Sequence, residues 1–179
     1  MYYSKKYMTP IGVVMLASDG DNLIGLRNEG QKYYGGSVEQ ELTEKDDLPL
    51  FKKAEEWLDE YFAGSRPDLF ELPLAPTGSE FRKEVWKILC EIPYGEYITY
   101  GGIADLMAER MKKPKMSSQA VGGAVGHNPI SIIIPCHRVV GANGSLTGYA
   151  GGIEKKIKLL EHEGVDMSGL FIPAKGTAL

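Results

Sequence analysis

The sequence predicts an α/β first half followed by a mostly helical second half that carries a helix-turn-helix. Three observations predict it. Residues 2–34 are rich in strand-forming side chains and contain an Asp19-Gly20 step between apolar runs, a hairpin signature. The segment LPLFKKAEEWLDEYFAG sets Phe51, Ala54, Trp57, Leu58, Tyr61 and Phe62 at helical spacing. Past residue 76, Ser and Thr precede several short apolar-periodic runs, which is how helices begin.

Taken in order, residues 35–48 are polar and acidic and predict a loop. Gly64 stops the first helix, and FELPLAPTG, with two prolines, reads as extended chain leading to a domain boundary near residue 76. The expected domains are therefore 1–76 and 77–179. Thr77 and Glu80 stand at the capping-box spacing, ahead of a helix facing inward with Phe81, Val85, Ile88 and Leu89. Pro93-Tyr94-Gly95 turns the chain. Thr99 is set to cap a helix over Tyr100–Met107, and Ser117 or Ser118 to cap QAVGGAVGHN, with the basic loop ERMKKPK between them. Two short helices joined in this way predict the helix-turn-helix. Ser131–Ile134 reads as a buried strand. IEKKIKLLEHEG reads as a last helix with Ile153, Ile157 and Leu160 inward, closed by Gly164.

The chain is 43% hydrophobic and 25% charged over 179 residues, enough apolar content to build a core. No apolar run reaches the ~20 residues that span a bilayer, and the first residues lack the pattern of a secretion signal. Two cysteines, Cys90 and Cys136, exclude a disulfide scaffold, and a reducing cytoplasm is the expected compartment. The net charge of −4 is uneven: residues 1–78 carry −6 and residues 79–179 carry +2. Overall acidity therefore does not exclude nucleic acid, which meets a local face rather than an average.

The chemistry concentrates late in the chain. Cys136-His137 pairs a thiol with a potential base. The turn Pro135-Cys136-His137-Arg138, followed by glycines, is where a reactive group is expected beside open space. Neighbouring side chains on extended backbone point apart, so His137 is expected to act through a water. Glu163, in His162-Glu163-Gly164, is a candidate to orient that histidine. Asn128 precedes a proline and is a candidate bridge from the helix end to the cysteine turn. Gly122-Gly123 inside a helix permits close approach by another helix or a nucleic-acid backbone. His127, His137 and Cys136 match no closed zinc spacing, so no metal and no cofactor are expected.

These residues together, Ile134-Pro135-Cys136-His137-Arg138-Val139, Ala120-Val121-Gly122-Gly123-Ala124 with Asn128-Pro129, Tyr149-Ala150-Gly151-Gly152 and His162-Glu163-Gly164, make residues 79–166 resemble the O6-alkylguanine-DNA alkyltransferase family. Residues 1–76 resemble it only in length and layout, where the family has a ribonuclease-H-like α/β domain. The resemblance implies direct repair: an alkyl group leaves O6-alkylguanine, or less readily O4-alkylthymine, for the protein's own cysteine, once, after the base is flipped out of the duplex.

Carried over by position, Cys136 is the acceptor, His137 the base, Glu163 its orienting carboxylate and Asn128 the brace of the turn. Tyr100 helps rotate the nucleotide and hands a proton to the leaving guanine. Tyr149, with Ala150 and Gly151, lines the base pocket, and backbone groups of Cys136 and Val139 read the guanine edge. Ser118, Gln119, Ala120, Gly122, Gly123 and Arg138 are the expected DNA contacts. The implied partner of a monomer is double-stranded DNA bearing the lesion, with no membrane involved. Two departures stand out. Several members have arginine where this chain has Gln119, and the loop before it is longer, with four basic residues from Arg110 to Lys115 expected to attract phosphate. Neither cysteine lies in residues 1–76, so the zinc of some eukaryotic members has no ligands there. The competing readings are a Cys-His hydrolase, a lesion sensor without transfer, and a transcription factor.

Overall fold

The computed structural model describes residues 1–31 and 42–174 and divides into two units. One comprises Met1–Thr77 with Pro129–Ile133. The other comprises Gly78–Asn128 with Ile134–Leu179.

In the first unit, alternation of apolar and polar residues gives three antiparallel strands, β1 (Tyr2–Thr9), β2 (Gly12–Ser18) and β3 (Leu23–Asn28). A short β4 (Leu42–Glu44) pairs in parallel with β1, giving the order β3-β2-β1-β4. The Asp19-Gly20 step turns the β2–β3 hairpin: Asp19 Oδ1 accepts from Asn22 N at 2.7 Å, and Gly20 takes φ 109°. β4 falls inside the expected loop of residues 35–48, because parallel pairing to a distant strand leaves no local signature. Residues 35–41 of that expectation lie outside the described residues. Helix α1 (Pro49–Phe62) starts at a proline in its first turn and buries Leu50, Phe51, Ala54, Trp57, Leu58 and Tyr61. Phe62 stays half-buried. Lys5 and Glu55 pair at 2.6 Å and Tyr7 donates to Asp59, tying β1 to α1. The expected extended segment before residue 76 opens with a single 3-10 turn, Leu69–Glu71, capped by Asp68. It then bridges to Leu23 through Leu74.

Pro129–Ile133 belongs to this unit although it lies far along the chain. Leu26 N donates to Pro129 O at 2.9 Å and Ser131 N to Leu26 O at 2.9 Å. Here the structure corrects the sequence reading: Ser131–Ile134 is not a strand. One bridge at Ile130 is followed by turns, with Ile132 at φ 71°. A run of isoleucines reads as strand by propensity, but the chain must turn before the cysteine, and that requirement overrides it.

In the second unit, α2 (Glu80–Glu91), α3 (Tyr100–Arg110) and α4 (Ser118–Gly126) pack on one another, followed by α5 (Ile153–His162). The cap of α2 is Ser79, whose side chain accepts from Arg82 N, and not Thr77. The packed face includes Trp86, whose indole N–H donates to Ala124 O at 2.9 Å. Thr99 caps α3 and Ser117 caps α4. α3 runs one turn beyond the expected Met107, and α4 ends two residues before Asn128. β5 (Ile98–Thr99) pairs in parallel with β6 (Val139–Val140), which brings the start of α3 beside the residues following the cysteine. No helix among the described residues is long and apolar enough to cross a membrane.

Candidate active site

Cys136 opens a single 3-10 turn, Cys136–Arg138. Its N–H donates to Ile134 O at 2.8 Å and its carbonyl accepts from Val139 N. Asn128 Nδ2 donates to Ile134 O at 2.8 Å. The end of α4 is therefore stapled to the residue two before the cysteine, and Asn128 sits as a buried brace.

The next residue, His137, is wholly buried. Its Nε2 lies 2.6 Å from Glu163 Oε2. Glu163 is the residue that ends α5, where the macrodipole disfavours a carboxylate. It is held there by donors. Arg138 Nε reaches Oε1 at 2.7 Å, Arg138 Nη2 reaches Oε2 at 3.1 Å, and Gly95 N reaches Oε1 at 3.2 Å. Gly95, at φ 82°, closes the Pro93-Tyr94-Gly95 turn that delivers this N–H, and its ideal Cβ would stand 3.1 Å from Glu163 O. Burial alone would raise the Glu163 pKa. The hydrogen bond from His137 and the hydrogen bonds and charge of Arg138 outweigh it and keep the carboxylate ionised well below its usual range. Burial pushes His137 the other way, toward the neutral ring, and Arg138 and Lys156 add to this while Glu163 opposes.

The neutral ring donates Nε2–H to Glu163. That leaves Nδ1, buried and without a hydrogen-bond partner among the described residues, as the ring's proton acceptor.

This arrangement corrects the role of Arg138. It does not face nucleic acid: it is 9% exposed, its third contact is Ile92 O at 2.7 Å, and its guanidinium stacks 5.7 Å from the Tyr94 ring centroid. A fork of fixed donors suits a buried carboxylate, and Glu163 takes it bidentately.

Lys156 escaped the sequence reading altogether. It is 1% exposed, with Nζ donating to Val139 O and, at 2.7 Å, to Thr147 O. Burial brings its pKa down to about 8, partly offset by the charge on Cys136. The signal was present: in α5, positions 153, 156, 157 and 160 form one stripe, and a lysine occupies its second place. The inward stripe is correspondingly different from expectation, with Lys156, Leu159 and Leu160 buried and Ile153 and Ile157 half-buried.

Tyr100 begins α3 and donates its hydroxyl to the same Thr147 carbonyl at 3.1 Å. Burial first, and the charge of Cys136 second, put its pKa well above the usual phenol range, so the hydroxyl keeps its proton. A cleft of about 380 Å³ is lined by Tyr100, Ser118, Gln119, Ala142 and Thr147, among others. Cys136 is not one of its walls. Cys136 is 6% exposed, more enclosed than the glycine-flanked turn predicts, and Tyr100 lines the cleft while feeling the charge of Cys136.

Ser118, Gln119 and Ala120 are exposed at the start of α4. Gly122 is buried, while a Cβ on Gly123 would meet nothing within 4 Å, so that side of α4 is open. Tyr149 is buried, with Ala150 and Gly151 half-buried in the turn that its carbonyl closes with Gly152 N at 3.0 Å. Of the backbone groups of Cys136 and Val139 expected to read a base edge, the Val139 carbonyl accepts from Lys156. No group of three or more metal-ligating side chains occurs among the described residues.

The comparisons with known proteins agree with this geometry. A family model described as 6-O-methylguanine DNA methyltransferase, ribonuclease-like domain, matches residues 1–76, and one described as 6-O-methylguanine DNA methyltransferase, DNA binding domain, matches residues 80–165. The methylated-DNA–protein-cysteine methyltransferase of Methanosarcina acetivorans is 45% identical over 169 residues, covering 92% of this chain and 99% of its own. That of Haemophilus influenzae is 40% identical over 163 residues, covering 91% and 86%. The crystal structure of Mycobacterium tuberculosis OGT in complex with DNA superposes with a TM-score of 0.79 at 42% identity, covering 90% of this chain and 93% of the other. On this match across both halves, the chain belongs to the methylated-DNA–protein-cysteine methyltransferase family.

Proposed function

We propose that this protein repairs double-stranded DNA by moving the alkyl group of O6-alkylguanine, and less readily of O4-alkylthymine, onto the sulfur of Cys136. The observation that carries the reading is the buried relay: His137 Nε2 at 2.6 Å from a carboxylate that Arg138 keeps ionised, with Nδ1 left as the acceptor one residue from the thiol. Cys136 gives its proton toward Nδ1 through a water and attacks the alkyl carbon in line. The sulfur–carbon bond forms as the carbon–O6 bond breaks. Tyr100, protonated at any physiological pH, hands its proton to the departing guanine and regains one from the His137 imidazolium, so the thiol's proton ends on guanine and the net change is thiol plus alkylguanine to thioether plus guanine. Asn128 braces the turn, and the buried Lys156 cation favours negative charge on the coupled sulfur.

O6 is inaccessible inside a duplex, so the base is extruded, at a cost of a few kcal/mol that is smallest for a damaged pair. The open start of α4, with Ser118, Gln119, Ala120 and Gly123, meets the DNA, and Tyr149, Ala150 and Gly151 border the extruded base. A thioether is not hydrolysed under these conditions, so each chain acts once. The acceptor and its relay come from one chain, which suits a monomer, and a thiol acceptor suits the reducing cytoplasm.

The test is to mix the protein with duplex bearing one O6-methylguanine, digest it and weigh the peptides. One methylene on the Cys136 peptide, at one per chain, is expected. Repeated turnover with an unmodified chain would overturn the reading.

A further inference from the structure

The loop between α3 and α4 has no part in the relay, and it sets three lysines within four positions. Lys112, Lys113 and Lys115 are all exposed, and none has an ion-pair partner among the described residues. Arg110, the fourth basic residue of the run, differs: its guanidinium is bonded to Glu91. The expected attraction therefore falls to the three lysines.

They are not on a loose tether. Met111 N donates to Met107 O at 2.9 Å, Lys112 N to Glu109 O at 3.2 Å and Lys113 N to Ala108 O at 2.9 Å, with Lys112 in the left-handed region at φ 53°. These bonds fold the loop back on the last turn of α3. At its other end Ser117 caps α4, accepting from Ala120 N at 3.2 Å. The exposed surface then continues without a break through Ser118, Gln119 and Ala120, two of which line the cleft with Tyr100. Three like charges within four positions repel one another, and the turn holds the backbone of Lys112 and Lys113 side by side. A row of phosphates relieves that repulsion, since each ammonium acts as a point charge on one phosphate.

We propose that Lys112, Lys113 and Lys115 form a phosphate clamp that grips the backbone of duplex DNA beside the stretch met by α4, supplying the attraction that Gln119, being neutral, does not. This rests on the reading of the chain as a DNA alkyl acceptor. It commits the loop to DNA rather than to a solvated surface role.

The test compares the full chain with Lys112→Gln/Lys113→Gln/Lys115→Gln in binding an undamaged duplex across a salt series. Each phosphate contact contributes about 0.9 to the slope of log affinity against log salt, so the slope should become shallower by about 2 to 3. A charge-matched control, Lys6→Gln/Lys52→Gln/Lys53→Gln, alters three exposed lysines of the first unit and should leave the slope unchanged. Transfer from a free O6-alkylguanine nucleobase, which has no phosphates, should be the same in all three proteins, which also shows that the loop variant is folded. An unchanged slope in the loop variant, or an equal loss in the control, would overturn the clamp. Failure of the unaltered chain to accept an alkyl group from either nucleobase or duplex would overturn the repair reading instead, a result the slopes do not affect.

Discussion

The two units bury polar groups of different kinds. Among the described residues of the first, the buried polar ones are Thr9, Ser18, Asn28, Gln31 and Ser131, all neutral. Their bonds close local turns and fix the inserted segment: Thr9 Oγ1 donates to Gly12 O at 2.7 Å, Ser18 Oγ to Asn22 O at 2.8 Å, and Ser131 Oγ to Gln31 Oε1 at 3.3 Å. In the second, neutral Asn128 is joined by four buried ionisable side chains, His137, Arg138, Lys156 and Glu163, that belong to the cysteine site. A neutral group costs little once bonded. A buried charge costs several kcal/mol of desolvation even when paired, and apolar residues of equal volume are often more stabilising. The first pattern is what a stable core requires. The second gives up stability to hold a proton acceptor in one tautomer beside a nucleophile.

The comparison breaks most completely at the sulfur. Cys136→Ala should abolish transfer while leaving duplex binding intact, read by peptide mass and by gel shift on the same sample. Glu163→Gln should slow transfer by about 10²- to 10⁴-fold, the usual worth of a positioned base. It also leaves Arg138 without its carboxylate, so thermal unfolding should fall with the rate. Phe51→Ala is the converse case. It should cost the first unit about 3–5 kcal/mol in denaturant unfolding, as deletion of a fully buried aromatic does, yet leave the transfer rate of the folded chain unchanged.

Acid should separate the units next. His137 is held neutral in the folded chain, whereas the unfolded chain takes up that proton below about pH 6.5. Glu163 is held ionised, whereas the unfolded carboxyl takes a proton below about pH 4.3. In both cases the unfolded state binds more protons as pH falls. The contribution of these two groups is therefore full above about pH 6.5 and declines below it, more steeply through the carboxylate range. Hydrogen exchange resolved to each unit should show the second loosening first. The smallest expected effect is at the DNA face, where Gln119→Arg should tighten duplex binding a few-fold without altering transfer from a free nucleobase.

What the sequence made legible was whatever is local. The caps Thr99 and Ser117, the Asp19-Gly20 hairpin, the stripe of α1 and the adjacency of Cys136 and His137 all lie within a few residues. What it concealed depends on partners far apart. Arg138 reads as a basic residue available to phosphate until Glu163, 25 positions on, claims it. Lys156 reads as one more surface lysine of a KK pair until the Val139 and Thr147 carbonyls close over it. β4 exists only because β1 is there to pair with it, and the isoleucines before Cys136 fail as a strand because the chain must turn at Ile132. The site chemistry was thus readable in its reactive pair and in Glu163, and not in the two buried cations, Arg138 and Lys156, that act on them.

The account depends on His137 being a neutral ring protonated on Nε2. Nitrogen NMR of the imidazoles, with His137 assigned by comparison with His137→Gln, reads this directly. The prediction is a proton on Nε2, a bare Nδ1 and no titration of this ring from about pH 8 down to the ordinary histidine value of about 6.5. A proton on Nδ1, or a ring that becomes charged above that value, would contradict it.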